Sequence, residues 1–188
     1  MQVQLNYGRG KLGVELPNAL DVTLINKKPM PLLDDPAAAM ELALGAPVGA
    51  PPLATAAAGA RNACILICDI TRPVPNGLIL EPLVRTLMAA GLAPDAITIL
   101  VATGLHRPNE GAEMAELVGN DWVLETIGAD NHFARDDAAH VEIGRTSRDT
   151  VVKLDRRFVD ADIKIATGLV EPHFMAGYSG GRKVIAPG

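Results

Sequence analysis

The sequence predicts an α/β fold: a doubly wound, mainly parallel sheet with helices on both faces, preceded by a short β-rich segment. Strand-like and helix-like segments alternate from residue 62 onward, which is the order typical of a parallel sheet. The composition is 48% hydrophobic but only 3% aromatic. Ala, Leu, Val and Ile must therefore fill the core, as they do where helices cover both faces of a sheet.

The first 59 residues are predicted to form a β-rich lead-in and a linker. Strand-like runs cover residues 3–7, 12–16 and 22–25, and glycine or proline separates them. Two aspartates then precede Pro36, a pattern that predicts the start of a helix reaching about residue 44. The Pro/Ala/Gly-rich stretch after it ends at Gly59. We place the internal boundary there, with an α/β core over 60–188.

The core is predicted to alternate strands with helices. Strands are expected at residues 63–68, 97–102, 141–143, 150–154 and 163–166, and helices at 76–90 and 109–118, the second capped by Asn109. Cys64 and Cys68 are the only cysteines. Strand alternation puts both on one face, too far apart for a disulfide, which predicts buried thiols.

Charge and termini restrict the classes of partner. The formal net charge is −5 with no cluster of Lys or Arg, so neither nucleic acid nor an anionic membrane surface is an expected partner. The N-terminus lacks the layout of a signal peptide, and no apolar stretch is long enough to span a bilayer. A cytoplasmic location is the default expectation, and a small anionic substrate remains possible because a few local cations can outweigh a mildly acidic surface.

Three predicted strands end in polar, turn-rich segments. They read Asp-Ile-Thr-Arg-Pro at 69–73, Thr-Gly-Leu-His-Arg-Pro at 103–108, and Thr-Gly-Leu-Val-Glu-Pro-His-Phe at 167–174. In an open α/β sheet, ligands bind outside the carboxyl ends of the strands. We therefore expect Arg72, His106 and His173 to line one crevice, although each alone could be an ordinary surface residue.

A glycine-rich turn follows, Ala-Gly-Tyr-Ser-Gly-Gly-Arg-Lys at 176–183. Consecutive glycines let backbone N–H groups face an anion, and lysine adds a mobile charge. It is not a Walker A loop, because Val184 stands where Ser or Thr would bind magnesium. A phosphate or carboxylate cradle and an ordinary tight turn both remain open.

These segments resemble the successive signatures of the nickel-dependent lactate racemase family, from about residue 60 to the end. The resemblance implies the N-terminal, cofactor-tethering domain of a two-domain isomerase acting on a small 2-hydroxycarboxylate. It implies a nickel-pincer pyridinium mononucleotide, supplied by cofactor-synthesis enzymes and covalently attached at Lys183. The other cofactor-binding residues it implies are Asp69, Thr71, Ser179, Gly180 and Gly181.

The resemblance also implies roles for the strand-end residues. His106 and His173 would be the paired acid/base groups, and Arg72 would bind the substrate carboxylate. These residue types suit the chemistry, because the Cα–H of a hydroxyacid is too weakly acidic for histidine to remove. Oxidation to a ketone by hydride transfer, with a histidine taking the hydroxyl proton, avoids that step.

Two further expectations follow. The family's nickel-binding histidine would lie beyond Gly188, so no metal ligand is assigned within this chain, and the chain alone is expected to be inactive without the C-terminal domain.

The competing interpretation is a non-catalytic mononucleotide- or phosphate-binding α/β module. An enzyme would depend on both histidines, whereas such a module would bind its ligand without them.

Overall fold

The structure, a computed structural model, describes residues 1–26 and 28–186. It divides into two compact units, Met1–Leu33 and Asp34–Gly188. The observed division thus lies ahead of the predicted boundary at residue 59. The reason is that the segment after Asp34 forms helices that pack on the α/β core, α1 (Pro36–Gly45) and α2 (Leu53–Ala56).

The first unit contains an antiparallel hairpin of β1 (Gln2–Tyr7) and β2 (Gly10–Glu15). Gly8 makes the turn possible with a φ of 57°, in the left-handed region that glycine adopts without strain. The strand predicted at residues 22–25 was wrong, because this segment has no regular secondary structure. Ile25 is 92% exposed, so its apolar side chain is not held against a sheet face.

The second unit is built on a four-stranded parallel sheet. Its strands are β3 (Ala63–Cys68), β4 (Ile97–Ala102), β5 (Asp130–Asn131) and β8 (Ile163–Ala166). They lie side by side in the order β5-β4-β3-β8. The further helices of this unit are α3 (Asn76–Ala89), α4 (Ala112–Val118), α5 (Asp121–Thr126) and α6 (Arg156–Val159).

Strand alternation divides the core between the two faces of the sheet. Ile65 and Ile67 point to the face covered by α3, α4 and α5. Leu66 points to the opposite face, where it packs with Phe158 of α6 and with Val184. Both faces are buried, so the predicted fold class is confirmed.

The capping residues read from the sequence predict the correct start for helix α1 but not for helix α4. Asp35 caps α1 by accepting a hydrogen bond from the Ala38 N–H at 3.0 Å, as predicted. Asn109, the predicted cap of α4, lies three residues before that helix. It is buried instead, its N–H donating to the Asn131 side chain at 2.9 Å and its side-chain amide donating to Glu113 at 2.8 Å.

Two predicted strands exist but lie outside the main sheet. β6 (His140–Arg145) and β7 (Val151–Asp155) form a separate antiparallel hairpin with a bulge near Gly144. Short strands β9 (Pro172–His173) and β10 (Gly177–Tyr178) form another. Sequence patterns predict an extended segment but do not identify its pairing partner.

Both cysteines are free, as predicted; Cys64 is buried, but Cys68 is only half-buried because it lies at the end of its strand beside the cleft. Burial raises the pKa of the Cys64 thiol to about 12, assisted by the negative charge of Asp155. The thiol is therefore protonated and unreactive in the folded protein. Within the described residues, no helix combines the length and the apolar character needed to cross a membrane.

Candidate active site

A cleft of about 680 Å³ lies at the carboxyl ends of β3, β4 and β8. Parallel strands bring their following loops to this single edge, so residues distant in sequence meet there. The structure places Arg72, His106, His173 and Lys183 along the cleft. Other predicted site residues that line it are Asp69, Thr71, Ser179 and Gly180. Gly181 is not among the lining residues.

His106 is held by a buried carboxylate. Its Nδ1 lies 2.6 Å from Oδ2 of Asp69, whose side chain is 7% exposed. The other oxygen of Asp69 accepts a hydrogen bond from the Thr71 hydroxyl at 2.6 Å. Asp69 and Thr71, predicted to bind cofactor, thus make their observed contacts within the protein. They orient the imidazole and leave its Nε2 as the available nitrogen.

His173 is held by backbone rather than by a carboxylate. Its Nδ1 accepts hydrogen bonds from the N–H groups of Met175 at 3.2 Å and Ala176 at 3.1 Å. Its ring stacks on Phe174, with centroids 5.2 Å apart and planes within 7°. The turn between β9 and β10 therefore determines how this ring is presented.

Arg72 and Lys183 are the cations of the cleft. Neither side chain forms a hydrogen bond or salt bridge with any other residue that the structure describes. Both lie close enough to Cys68 to influence its thiol. Burial, assisted by the charge of Asp69, raises the pKa of Cys68, and the two cations partly offset this rise. An anion in the cleft could pair with either cation without breaking an existing contact.

The glycine-rich turn is fastened to the loop after β8. The Ser179 hydroxyl donates to the Leu169 carbonyl at 2.7 Å and accepts from the Glu171 N–H at 3.1 Å. Gly180 has a φ of 71°, and a Cβ there would lie 2.9 Å from the Leu169 oxygen. This close approach requires glycine. Ser179 and Gly180 thereby set the start of the 3-10 turn Gly181–Val184, which carries Lys183.

Sequence reasoning missed a supporting network beside the cleft. His132 lies in a loop but is largely buried, and its carbonyl accepts a hydrogen bond from the cleft residue Thr103 at 2.5 Å. Its Nδ1 lies 3.1 Å from Asp155, which also accepts from Arg157 at 2.7 Å. Burial pushes the pKa of Asp155 up, but the hydrogen bonds from His132 and Arg157 outweigh it and lower that pKa overall. The sequence signal that could have indicated this network is Asp155, an aspartate at the end of strand β7.

Metal-ligating side chains do not cluster in the described part of the chain. Among residues 1–26 and 28–186, no three His, Cys, Asp or Glu side chains are grouped so that they could hold a metal ion. The cleft itself offers two imidazoles, a guanidinium and an amine. This set can transfer protons and bind a carboxylate.

Two curated relatives of this chain are both named lactate racemase. The chain is 39% identical over 150 residues to the lactate racemase of Lactiplantibacillus plantarum, covering 79% of this chain and 35% of that protein. It is 32% identical over 190 aligned positions to the lactate racemase of Thermoanaerobacterium thermosaccharolyticum, covering 99% of this chain and 44% of that protein. The chain thus spans less than half the length of these relatives.

Solved structures give the same result for the fold. The lactate racemase apoprotein from Thermoanaerobacterium thermosaccharolyticum matches with a TM-score of 0.83 and 32% identity, over 100% of this chain and 43% of that one. A protein from Thermotoga maritima matches with a TM-score of 0.58 and 24% identity, over 72% of this chain and 36% of that one; at this identity the likeness concerns the fold alone. The family described as Lactate racemase N-terminal domain matches residues 7–188. The resemblance seen in the motifs is therefore confirmed, and the chain belongs to the lactate racemase N-terminal domain family.

Proposed function

We propose that this chain is the cofactor-tethering part of a 2-hydroxyacid racemase or epimerase that works by reversible, proton-coupled hydride transfer through a 2-keto acid. The observation that carries the proposal is the composition of the cleft. Two histidines from different loops share it with an arginine and a lysine that have no partner among the described residues.

The cleft residues suit a lysine-tethered pyridinium mononucleotide, while no nickel ligand is assigned among the described residues. Ligand pockets commonly enclose ~300–1,000 Å³, and the cleft offers about 680 Å³. A Cβ at Gly181 would meet no atom within 4 Å, but this glycine does not line the cleft, so its predicted contact with the cofactor stays a proposal. The amine of Lys183 would hold the group covalently. When bound, that group supplies an electron-poor ring able to accept hydride.

The side chains of the chain would perform the remaining steps. Arg72 would grip the substrate carboxylate with two parallel hydrogen bonds, which fixes the orientation of Cα. His106, whose Nδ1 is bonded to Asp69, would take the hydroxyl proton at Nε2. The ketone formed is planar and can be reduced on either face. A second acid/base group, His173, is therefore needed for the opposite enantiomer.

The competing function is a mononucleotide- or phosphate-binding module without catalysis of its own. It is favoured by the coverage of the relatives, since the chain corresponds to only 35–44% of their length. Under either interpretation, the isolated chain is expected to show no racemase activity and to retain no nickel. Intact mass and metal analysis after coexpression with cofactor-synthesis enzymes would test this, and stoichiometric nickel with turnover would refute it.

The deciding experiment uses a full-length family protein that contains this chain. Replacing either His106 or His173 by alanine should reduce racemisation of lactate by ~10²–10⁴-fold. His140→Ala is the matched control, because that histidine lies outside the cleft and bonds the Asp136 carbonyl. Near-normal racemisation in either cleft variant would exclude an acid/base role for the histidine replaced. Unchanged affinity for a phosphate-containing ligand in both variants would favour the binding module.

Arg72 provides a second test that separates charge from geometry. Arg72→Lys keeps the positive charge but cannot form two parallel hydrogen bonds with a carboxylate. We expect most of the activity to be lost, with a large rise in KM for the hydroxyacid. Unchanged kinetics would mean that Arg72 only supports its loop.

A further inference from the structure

The protonation pattern of His106 follows from its partner. A carboxylate oxygen can only accept hydrogen bonds, and Oδ2 of Asp69 lies 2.6 Å from Nδ1 of His106. The Nδ1 of this ring therefore carries a proton. In the neutral ring the Nε2 is then unprotonated and presents a lone pair.

His173 has the opposite pattern. Backbone N–H groups can only donate, and two of them, from Met175 and Ala176, point to its Nδ1 at 3.2 and 3.1 Å. That Nδ1 must therefore be unprotonated, so the neutral ring carries its proton on Nε2. Stacking on Phe174 holds the ring in the same place.

We propose that the two histidines face the cleft as opposite neutral tautomers, and that the backbone of the Phe174–Ala176 turn sets the second one. The inference rests on the proposed function and deepens it. A substrate hydroxyl between the two rings could donate to Nε2 of His106 and accept from Nε2–H of His173. The resting site thus contains one proton acceptor and one hydrogen-bond donor.

The asymmetry has a structural consequence for turnover. His106 can take a proton at Nε2 without losing its bond to Asp69, because its Nδ1–H is kept. His173 can act as an acceptor only once its Nε2 proton has left, to the substrate oxygen or to solvent, and a proton from solvent has bound Nδ1. The N–H groups of Met175 and Ala176 then have no acceptor there. The Phe174–Ala176 turn must therefore open whenever His173 changes role.

The experiment is ¹⁵N NMR of histidine side chains in this chain, at a pH well above the ordinary histidine pKa of ~6.5. The ring proton should be found on Nδ1 in His106 and on Nε2 in His173, with signals assigned through His106→Gln and His173→Gln. The same tautomer in both rings would overturn the proposal. The measurement needs neither cofactor nor turnover, so its failure is distinguishable from failure of the racemase function.

Variants test what sets each tautomer. Asp69→Ala should shift the His106 proton to Nε2, whereas Thr71→Ala, which leaves the carboxylate in place, should not. Replacing both Met175 and Ala176 by proline removes both donors and should allow part of the His173 population to carry its proton on Nδ1. Replacing both by glycine keeps the two N–H groups and the Nε2–H tautomer. Backbone amide spectra verify folding of each variant. If the folded double-proline variant still carries the His173 proton only on Nε2, the turn does not set the tautomer and the proposal is refuted on this point.

Discussion

Replacing Asp155 tests whether the network beside the cleft stabilises the fold. The carboxylate is 5% exposed. It accepts hydrogen bonds from Nδ1 of His132 at 3.1 Å and from Arg157 through the backbone N–H, Nε and Nη2 at 2.9, 3.0 and 2.7 Å. Asp155→Ala removes the acceptor for all of them.

The expected loss of stability follows from how far Arg157 is exposed. Breaking a fully buried ion pair costs ~3–5 kcal/mol, because the remaining charge is left buried without a partner. Arg157 is 35% exposed and keeps a bond to the Asn131 carbonyl at 3.1 Å, so water can solvate part of its charge. We therefore expect Asp155→Ala to lower the free energy of unfolding by ~2–3 kcal/mol.

Urea unfolding of the two proteins at neutral pH measures this difference. Asp162→Ala is the matched control. Asp162 pairs with Arg61 through the same three kinds of donor at 2.8–2.9 Å, but Arg61 is 83% exposed. An exposed pair contributes less than ~1 kcal/mol. Equal losses in the two variants would refute the argument that burial of the ion pair, rather than its number of hydrogen bonds, determines how much it stabilises the fold.

Three further results are expected. The folded pKa of Asp155 is lowered, so the stabilisation by its carboxylate is complete above the ordinary carboxyl pKa of ~3.9 and is lost as the pH falls toward the folded pKa. In a plot of the free energy of unfolding against pH, Asp155→Asn should therefore reduce the slope on the acid side. An unchanged slope would contradict this. In urea unfolding, Gly180→Ala should lower the free energy of unfolding more than Gly181→Ala does. Both residues have positive φ, which costs ~1–2 kcal/mol for alanine, but only at position 180 would the new Cβ lie 2.9 Å from a backbone oxygen. Equal losses would exclude the steric contribution. A thiol reagent should modify Cys68, which lines the cleft, before the fully buried Cys64, as peptide mapping would show; modification of both at one rate would indicate an opened sheet.

Periodicity and turn chemistry predicted much of the second unit. Strand β3 was placed at its observed bounds because a run of apolar residues between polar ends has few alternatives in an alternating α/β order. The start of α1 was correct because its capping aspartate and proline act locally. The edge at which the strand-end loops meet follows from parallel topology alone, since such strands end on the same side.

Only the tertiary structure decided which groups pair across the chain. Asp69 and His106 are 37 residues apart, and Asp155 and His132 are 23 apart. A residue pattern records how much each position prefers burial, and not which distant group will meet it. The same limit explains why β6 and β7 pair with each other rather than joining the sheet. Hydrogen-bond partners are determined only when packing has fixed the distances between elements, and so the proton positions that distinguish the two cleft histidines depend on the fold.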